Sequence, residues 1–158
     1  MKTDQEFLSK EKHDEFVKEL EFLKTIKRKE IAEDLDYARS LGDLSENAEY
    51  QEAREAQAAL EDRISKLENI VKNATIVSEH THGNVVVIGS TIVVAKKGDK
   101  TEKTFKIVGS EEADMASGKI SNRSPFGVAA LGKKKGEDFS FASPNGQMTY
   151  KLVDLINN

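Results

Sequence analysis

The chain has no cysteine and no tryptophan in its 158 residues. The first absence excludes disulfides, thiol chemistry and cysteine-ligated zinc. Proline occurs only twice, as Pro125 and Pro144, and nine of the ten glycines lie beyond residue 75. No apolar run approaches the ~20 residues of a membrane span. The opening Met-Lys-Thr-Asp-Gln-Glu is not followed by the apolar stretch of a signal peptide. No membrane association is expected, and a cytoplasmic location fits. Aromatic content is only 6%, lean for a single compact core. There is no excess of positive charge either: the net charge is -4, which argues against a protein that coats nucleic acid wholesale.

What is present divides into two halves. Residues 1–75 hold one glycine, Gly42, and no proline, with 13 basic and 19 acidic side chains. Residues 76–158 hold 11 basic and 9 acidic side chains, both prolines and the other glycines. A long stretch with one breaker is helical by propensity. Ser9 is an expected N-cap. Phe16, Leu20 and Leu23 begin an apolar stripe, which resumes out of phase at Ile31, Leu35 and Ala38, with the slip near Lys27–Glu30. Beyond Gly42 a second stripe runs Ala53, Ala56, Leu60, Ile64, Leu67, Val71, Ala74. Its later part has the 4-3-4-3 spacing of a coiled-coil seam. Two helices joined at Gly42 must fold back antiparallel, as a hairpin roughly 45 Å long at ~1.5 Å per residue. One chain supplies both helices, so a monomer is expected.

The second half reads as strands over Val85–Ile88, Thr91–Ala95, Lys103–Val108, Phe139–Phe141 and Met148–Leu155. Pro144-Asn145-Gly146 is a hairpin turn. Ser124 caps a short helix with Pro125 at its first position and Gly132 at its end. The fold class is therefore two-domain α+β. Residues 1–75 form an antiparallel coiled-coil hairpin, and residues 76–158 a small, mostly antiparallel β domain with a short helix.

No self-contained catalytic site is visible. His80-Thr81-His82 offers two metal ligands without a third, and a solvated loop is the better reading. The chemistry-bearing segment is Gly42-Asp43-Leu44-Ser45-Glu46-Asn47 at the hairpin turn. Asp43 and Glu46 have capping-box spacing, and acidic groups at a helix start gain ~0.3–1 kcal/mol from its dipole. Capping does not explain apolar Leu44 at a solvent-facing tip. The alternative is delivery of the carboxylates to a partner, since Mg²⁺ is bound by one or two carboxylates plus water and phosphate oxygens. Lys27, Arg28, Lys29, Arg39 and Arg54 flank the tip. Arg39 and Arg54 fit one face and two arginines can hold a phosphate chain; a solvated face is the plainer reading of the group.

The segment Gly42-Asp43-Leu44-Ser45-Glu46-Asn47-Ala48-Glu49-Tyr50 resembles the tip motif of the bacterial Gre-type transcript cleavage factors, nearest the GreA type. The resemblance extends through Leu20–Lys24, Lys27–Ile31, Glu52–Gln57, Ile107–Asp114 and Ser124–Gly127. It implies a C-terminal domain like FK506-binding proteins that docks beside the secondary channel of RNA polymerase, with Ser124 and Pro125 bordering the docking surface. It implies that the coiled coil enters the channel. There Asp43 and Glu46, supported by Leu44, Ser45 and Asn47, help hold a Mg²⁺ shared with the polymerase. The polymerase then cleaves backtracked RNA with its own active site and resumes elongation. The free protein would carry no cofactor and would not itself be an enzyme. Arg39 and Arg54 would lie near the RNA 3′ end. Lys29 stands where the family usually has proline, and Leu41 where a polar residue is common. Two alternatives stay open: a same-fold regulator that inhibits polymerase, and a peptidyl-prolyl isomerase or chaperone. The latter needs an aromatic-lined pocket, for which Phe105, Phe126, Phe139, Phe141 and Tyr150 are the candidates.

Overall fold

Ser9 starts the first helix as expected: its Oγ accepts the Lys12 N–H at 3.1 Å. Helix α1 runs Lys10–Phe22, passes through a π-helical turn at Leu23–Lys27, and continues as α2, Arg28–Ser40. The computed structural model describes residues 5–77 and 83–157. The π-turn is the phase slip. From Leu23 the 4-3 pattern would next call at 27 and 30, but the buried positions are Ile31, Leu35 and Ala38. A π-turn takes up one extra residue, which rotates the later stripe back onto the packed face. Helix α3, Ala48–Asn73, returns antiparallel. Arg28 pairs with Glu61 through two 2.9 Å bonds, Arg63 with Glu19 through bonds of 3.0 and 3.1 Å, and Lys24 with Glu68 at 3.0 Å.

The hairpin core joins Ile31, Leu35 and Ala38 to Tyr50, Ala53, Leu60 and Ile64, with Leu20 and Leu23 against it. Each buried large aliphatic is worth about 1.5–3 kcal/mol, whereas half-exposed ion pairs contribute ~0–1 kcal/mol each. The seam therefore holds the hairpin and the pairs tune it. Three expected seam positions differ, one of them Ala74, which lies past the end of α3 and is half-buried. Ala56 is exposed, because Ala53 and Leu60 already supply the inward residues on either side and a methyl group adds little. Val71 is half-buried beside fully buried Ile70, as 3.6 rather than 3.5 residues per turn spreads the stripe over both.

The chain forms two compact units, His13–Asn73 and a globular unit made of residues 1–12 with 74–158. Residues 5–12, with Ala74 and Thr75, were assigned from sequence to the hairpin and lie instead with the globular unit. There β1, Phe7–Ser9, pairs parallel with β2, Thr75–Val77. Arg123 holds this segment through Glu6 at 3.0 Å and the Gln5 carbonyl at 3.1 Å. The Glu112 carboxylate accepts both the Ser9 N–H at 2.9 Å and the Ser9 hydroxyl at 2.7 Å. Gly109 lets the two segments touch, since a Cβ there would sit 1.7 Å from the Phe7 carbonyl oxygen.

The main sheet has the order β5-β4-β3-β7-β6. Its strands are β3, Thr91–Lys96; β4, Glu102–Val108; β5, Lys119–Ser121; β6, Asp138–Ser143; and β7, Gly146–Ile156. All pairings are antiparallel except β4–β5. Helix α4, Pro125–Ala130, lies against β6 and β5. The expected strand at Val85–Ile88 is not one. Val86 is buried, but its backbone bonds loop groups, the Lys133 carbonyl at 2.9 Å and the Gly132 N–H at 2.9 Å. Its β-branched side chains serve packing, which β-propensity largely measures.

Candidate functional site

The tip is built by three short-range devices. Gly42 takes φ +126°, a conformation that side chains other than glycine rarely adopt. Asp43 then folds onto Ser45: its Oδ1 accepts the Ser45 N–H at 3.0 Å and the Ser45 hydroxyl at 2.8 Å. These two bonds, the backbone one first, hold the Asp43 carboxyl pKa below its ordinary value. Both fall on one oxygen, and no described residue donates to Oδ2. The third device is Asn47, whose Oδ1 accepts the Tyr50 N–H at 3.1 Å and whose carbonyl accepts the Gln51 N–H at 3.1 Å.

Asn47 is therefore the N-cap of α3, and the capping-box reading of Asp43 and Glu46 is corrected. Asp43 lies too far before Ala48 and is satisfied locally, the usual behaviour of aspartate in a turn. Asparagine caps as well as aspartate does. Asp43, Leu44, Ser45 and Glu46 are all exposed, Leu44 at 41%. The structure thus places two carboxylates in one solvent-facing loop, neither used to start the helix. They are hard oxygen donors suited to Mg²⁺ but too few for a cage. Among the described residues no group of three histidine, cysteine, aspartate or glutamate side chains could hold a metal ion. His80 and His82 lie outside the described residues, and His13 sits against the Val71 carbonyl at 3.4 Å.

The flanking basic residues separate into two sorts. Arg28 is paired with Glu61, and Lys27 with Glu30 at 3.2 Å. Arg39 from α2 and Arg54 from α3 converge instead on Tyr50, with guanidinium carbons 6.0 and 5.9 Å from its ring centroid. Arg54 also donates to the Tyr50 hydroxyl at 3.3 Å. Helical spacing allowed the two arginines a common face; the ring between them was missed. Its signal was available, because Tyr50 lies three residues before Ala53 and four before Arg54 on the same helix.

On the globular unit, Ser124 caps α4 as expected, its Oγ accepting the Gly127 N–H at 3.1 Å and donating to the Ser121 carbonyl at 2.7 Å. Ser124 and Pro125 border a largely apolar cavity of about 540 Å³ lined also by Phe105, Met115, Phe126 and Tyr150. Phe126 meets Phe105, Phe139, Phe141 and Tyr150 edge to face, with centroids 5.2–5.5 Å apart. Phe139 is core at 3% exposed; the other four aromatics each present a face to the cavity. Met115, 69% exposed, was not anticipated, since nothing in the periodicity of a short turn marks it. No helix among the described residues is long and apolar enough to cross a membrane.

Comparison with known proteins agrees with this organisation. Residues 6–76 match the family model described as "Transcription elongation factor, N-terminal", and residues 80–157 match "Transcription elongation factor, GreA/GreB, C-term". The chain is 47% identical over 137 residues to the transcription elongation factor GreA of Bacillus subtilis strain 168, covering 87% of each chain. It is 44% identical over 147 residues to that of Geobacillus kaustophilus, covering 92% of this chain and 93% of the other. Among solved structures it is similar to GreA factor homolog 1 of Thermus thermophilus, at 25% identity and a TM-score of 0.44, covering 97% of this chain and 99% of that one.

Proposed function

The chain belongs to the GreA/GreB family of transcription elongation factors, and from that premise we propose that it acts on RNA polymerase as a transcript cleavage factor. The globular unit docks on the rim of the secondary channel through Ser124, Pro125 and the apolar cavity beside them. The hairpin enters the channel as a monomer, in the cytoplasm. Asp43 and Glu46 then complete a site in the polymerase, and the hydrolysis of backtracked RNA is the polymerase's own reaction. The factor supplies carboxylates in trans and is not itself an enzyme.

The observation that carries this reading is the assignment of the cap to Asn47. It leaves Asp43 and Glu46 exposed with no structural task at the helix start. Asp43 Oδ2 and the Glu46 carboxylate would hold Mg²⁺ together with oxygens of the polymerase and the RNA. Such an ion supplies Lewis-acid charge for phosphodiester hydrolysis. Arg39 and Arg54 contact phosphates near the RNA 3′ end.

The test is RNA cleavage in stalled elongation complexes at graded Mg²⁺ concentrations. Asp43→Asn and Glu46→Gln should fold normally, bind polymerase and lose most cleavage stimulation, with partial recovery at high Mg²⁺. Asparagine keeps the shape of aspartate but not the charge that attracts the ion. Wild-type cleavage by Asp43→Asn would refute metal delivery.

A further inference from the structure

The hairpin unit carries four arginines, and they are held in two different ways. Arg28 and Arg63 each grip a carboxylate with two hydrogen bonds, to Glu61 and Glu19. Among the described residues, neither Arg39 nor Arg54 has such a two-bond carboxylate partner. Arg39 makes only a loose, exposed ion pair with Asp36 at 3.9 Å. Both are instead held by the ring of Tyr50, one from each helix.

The difference matters for charge. A carboxylate orients a guanidinium and cancels it; an aromatic ring orients it through its quadrupole and leaves the charge available. Tyr50 itself is only 9% exposed, so its ring has no free face on which a base could stack. Its backbone N–H is fixed by Asn47, which ties the ring to the tip loop. The phenol pKa is lowered, first by the Arg54 hydrogen bond, in keeping with a hydroxyl that accepts from that guanidinium.

We propose that Tyr50 is a positioning residue that holds Arg39 and Arg54 together, free of any two-bond carboxylate grip, as a two-pronged clamp for adjacent phosphates of the RNA strand. This rests on the reading of those arginines as RNA contacts. Its force comes from bringing two like charges onto one surface patch, which an anionic backbone rewards and nothing in the free hairpin requires.

The test measures cleavage in stalled complexes against factor concentration, using the full chain. Tyr50→Leu should raise the half-saturating concentration roughly ten-fold, because two cation–ring contacts and one hydrogen bond are lost. The saturated rate should stay put, since Asp43 and Glu46 are untouched. Tyr50→Phe keeps the ring and should raise it only about two- to three-fold. The salt dependence of RNA cross-linking should flatten in Tyr50→Leu as in Arg39→Ala/Arg54→Ala. Adding Tyr50→Leu to the arginine double variant should change nothing further. A further loss there, or wild-type behaviour of both Tyr50 variants while the arginine variant is impaired, overturns the positioning role. An arginine double variant with wild-type half-saturation and cross-linking overturns the underlying RNA contact, and the clamp with it.

Discussion

The side-chain amide of Asn47 donates to the carbonyl of Ala38 at 2.5 Å, joining the last turn of α2 to the start of α3 across the tip. The same side chain caps α3 through Tyr50. One residue thus adds a second donor to the Ala38 carbonyl, which already accepts the Leu41 N–H at 3.2 Å, and satisfies an orphan N–H on the next helix. Its two atoms separate the two tasks. Asn47→Asp should keep the cap and lose the bridge, whereas Asn47→Ala should lose both. The cap alone is worth about 1 kcal/mol and the bridge about 0.5–1.5 kcal/mol. Chemical denaturation of the full chain should therefore rank stability as wild type, then Asn47→Asp, then Asn47→Ala. Equal stability of the two variants would show that the bridge contributes nothing.

The Asp43–Ser45 turn predicts a pH response with a definite sign. The folded pKa of Asp43 lies below its ordinary value, so the turn is fully stabilised above the unfolded value of about 3.9 and weakens as pH falls through the lowered one. Ser45→Ala removes the hydroxyl donor and should move the Asp43 pKa upward, while Ser45→Pro removes both donors, including the backbone one that is the larger cause, and should move it further. Carboxyl NMR titration reads both shifts. An unmoved Asp43 in Ser45→Pro would disprove the turn as the cause.

At the globular unit, Pro125 occupies the first position of α4, where alanine is tolerated. Pro125→Ala should leave thermal unfolding nearly unchanged yet weaken polymerase binding several-fold, because an apolar wall of the cavity is lost. Competition against the wild-type factor for polymerase measures this. Equal competition would place docking elsewhere.

Gly109 makes a purely steric prediction. Its φ of -64° suits any residue, so alanine would meet no backbone strain, only the Phe7 carbonyl. Gly109→Ala should cost about 1–3 kcal/mol and loosen residues 5–9. Limited proteolysis should then cut near Phe7 before any site in the main sheet. Wild-type resistance would mean that the two segments part freely.

Much of this was legible in the sequence, and the reasons differ by element. The seam at Ile31, Leu35, Leu60 and Ile64 shows because burial repeats with the helical period. The slip after Leu23 shows as a displaced stripe, although periodicity alone does not say how the backbone absorbs it. Ser124-Pro125 shows because a cap and a fixed φ are local properties. Phe7–Ser9 and Thr75–Val77 did not show: each is three residues long, and their pairing is parallel between distant segments. The short parallel strand Lys119–Ser121 was lost for the same reason. At the tip, the residues of the motif were legible but their division of labour was not. Asp43, Glu46 and Asn47 are all competent caps, and only the place where the helix begins decides among them.

The π-turn at Leu23–Lys27 has a consequence for how such a gene can change. A single added codon in a plain helix would swing everything beyond it by about 100°, turning Ile31, Leu35 and Ala38 out to water. Confined to one widened turn, the surplus residue is absorbed where every side chain but Leu23 faces solvent. The later stripe thus stays on the packed face, and removing one residue from this turn should leave Ile31, Leu35 and Ala38 buried.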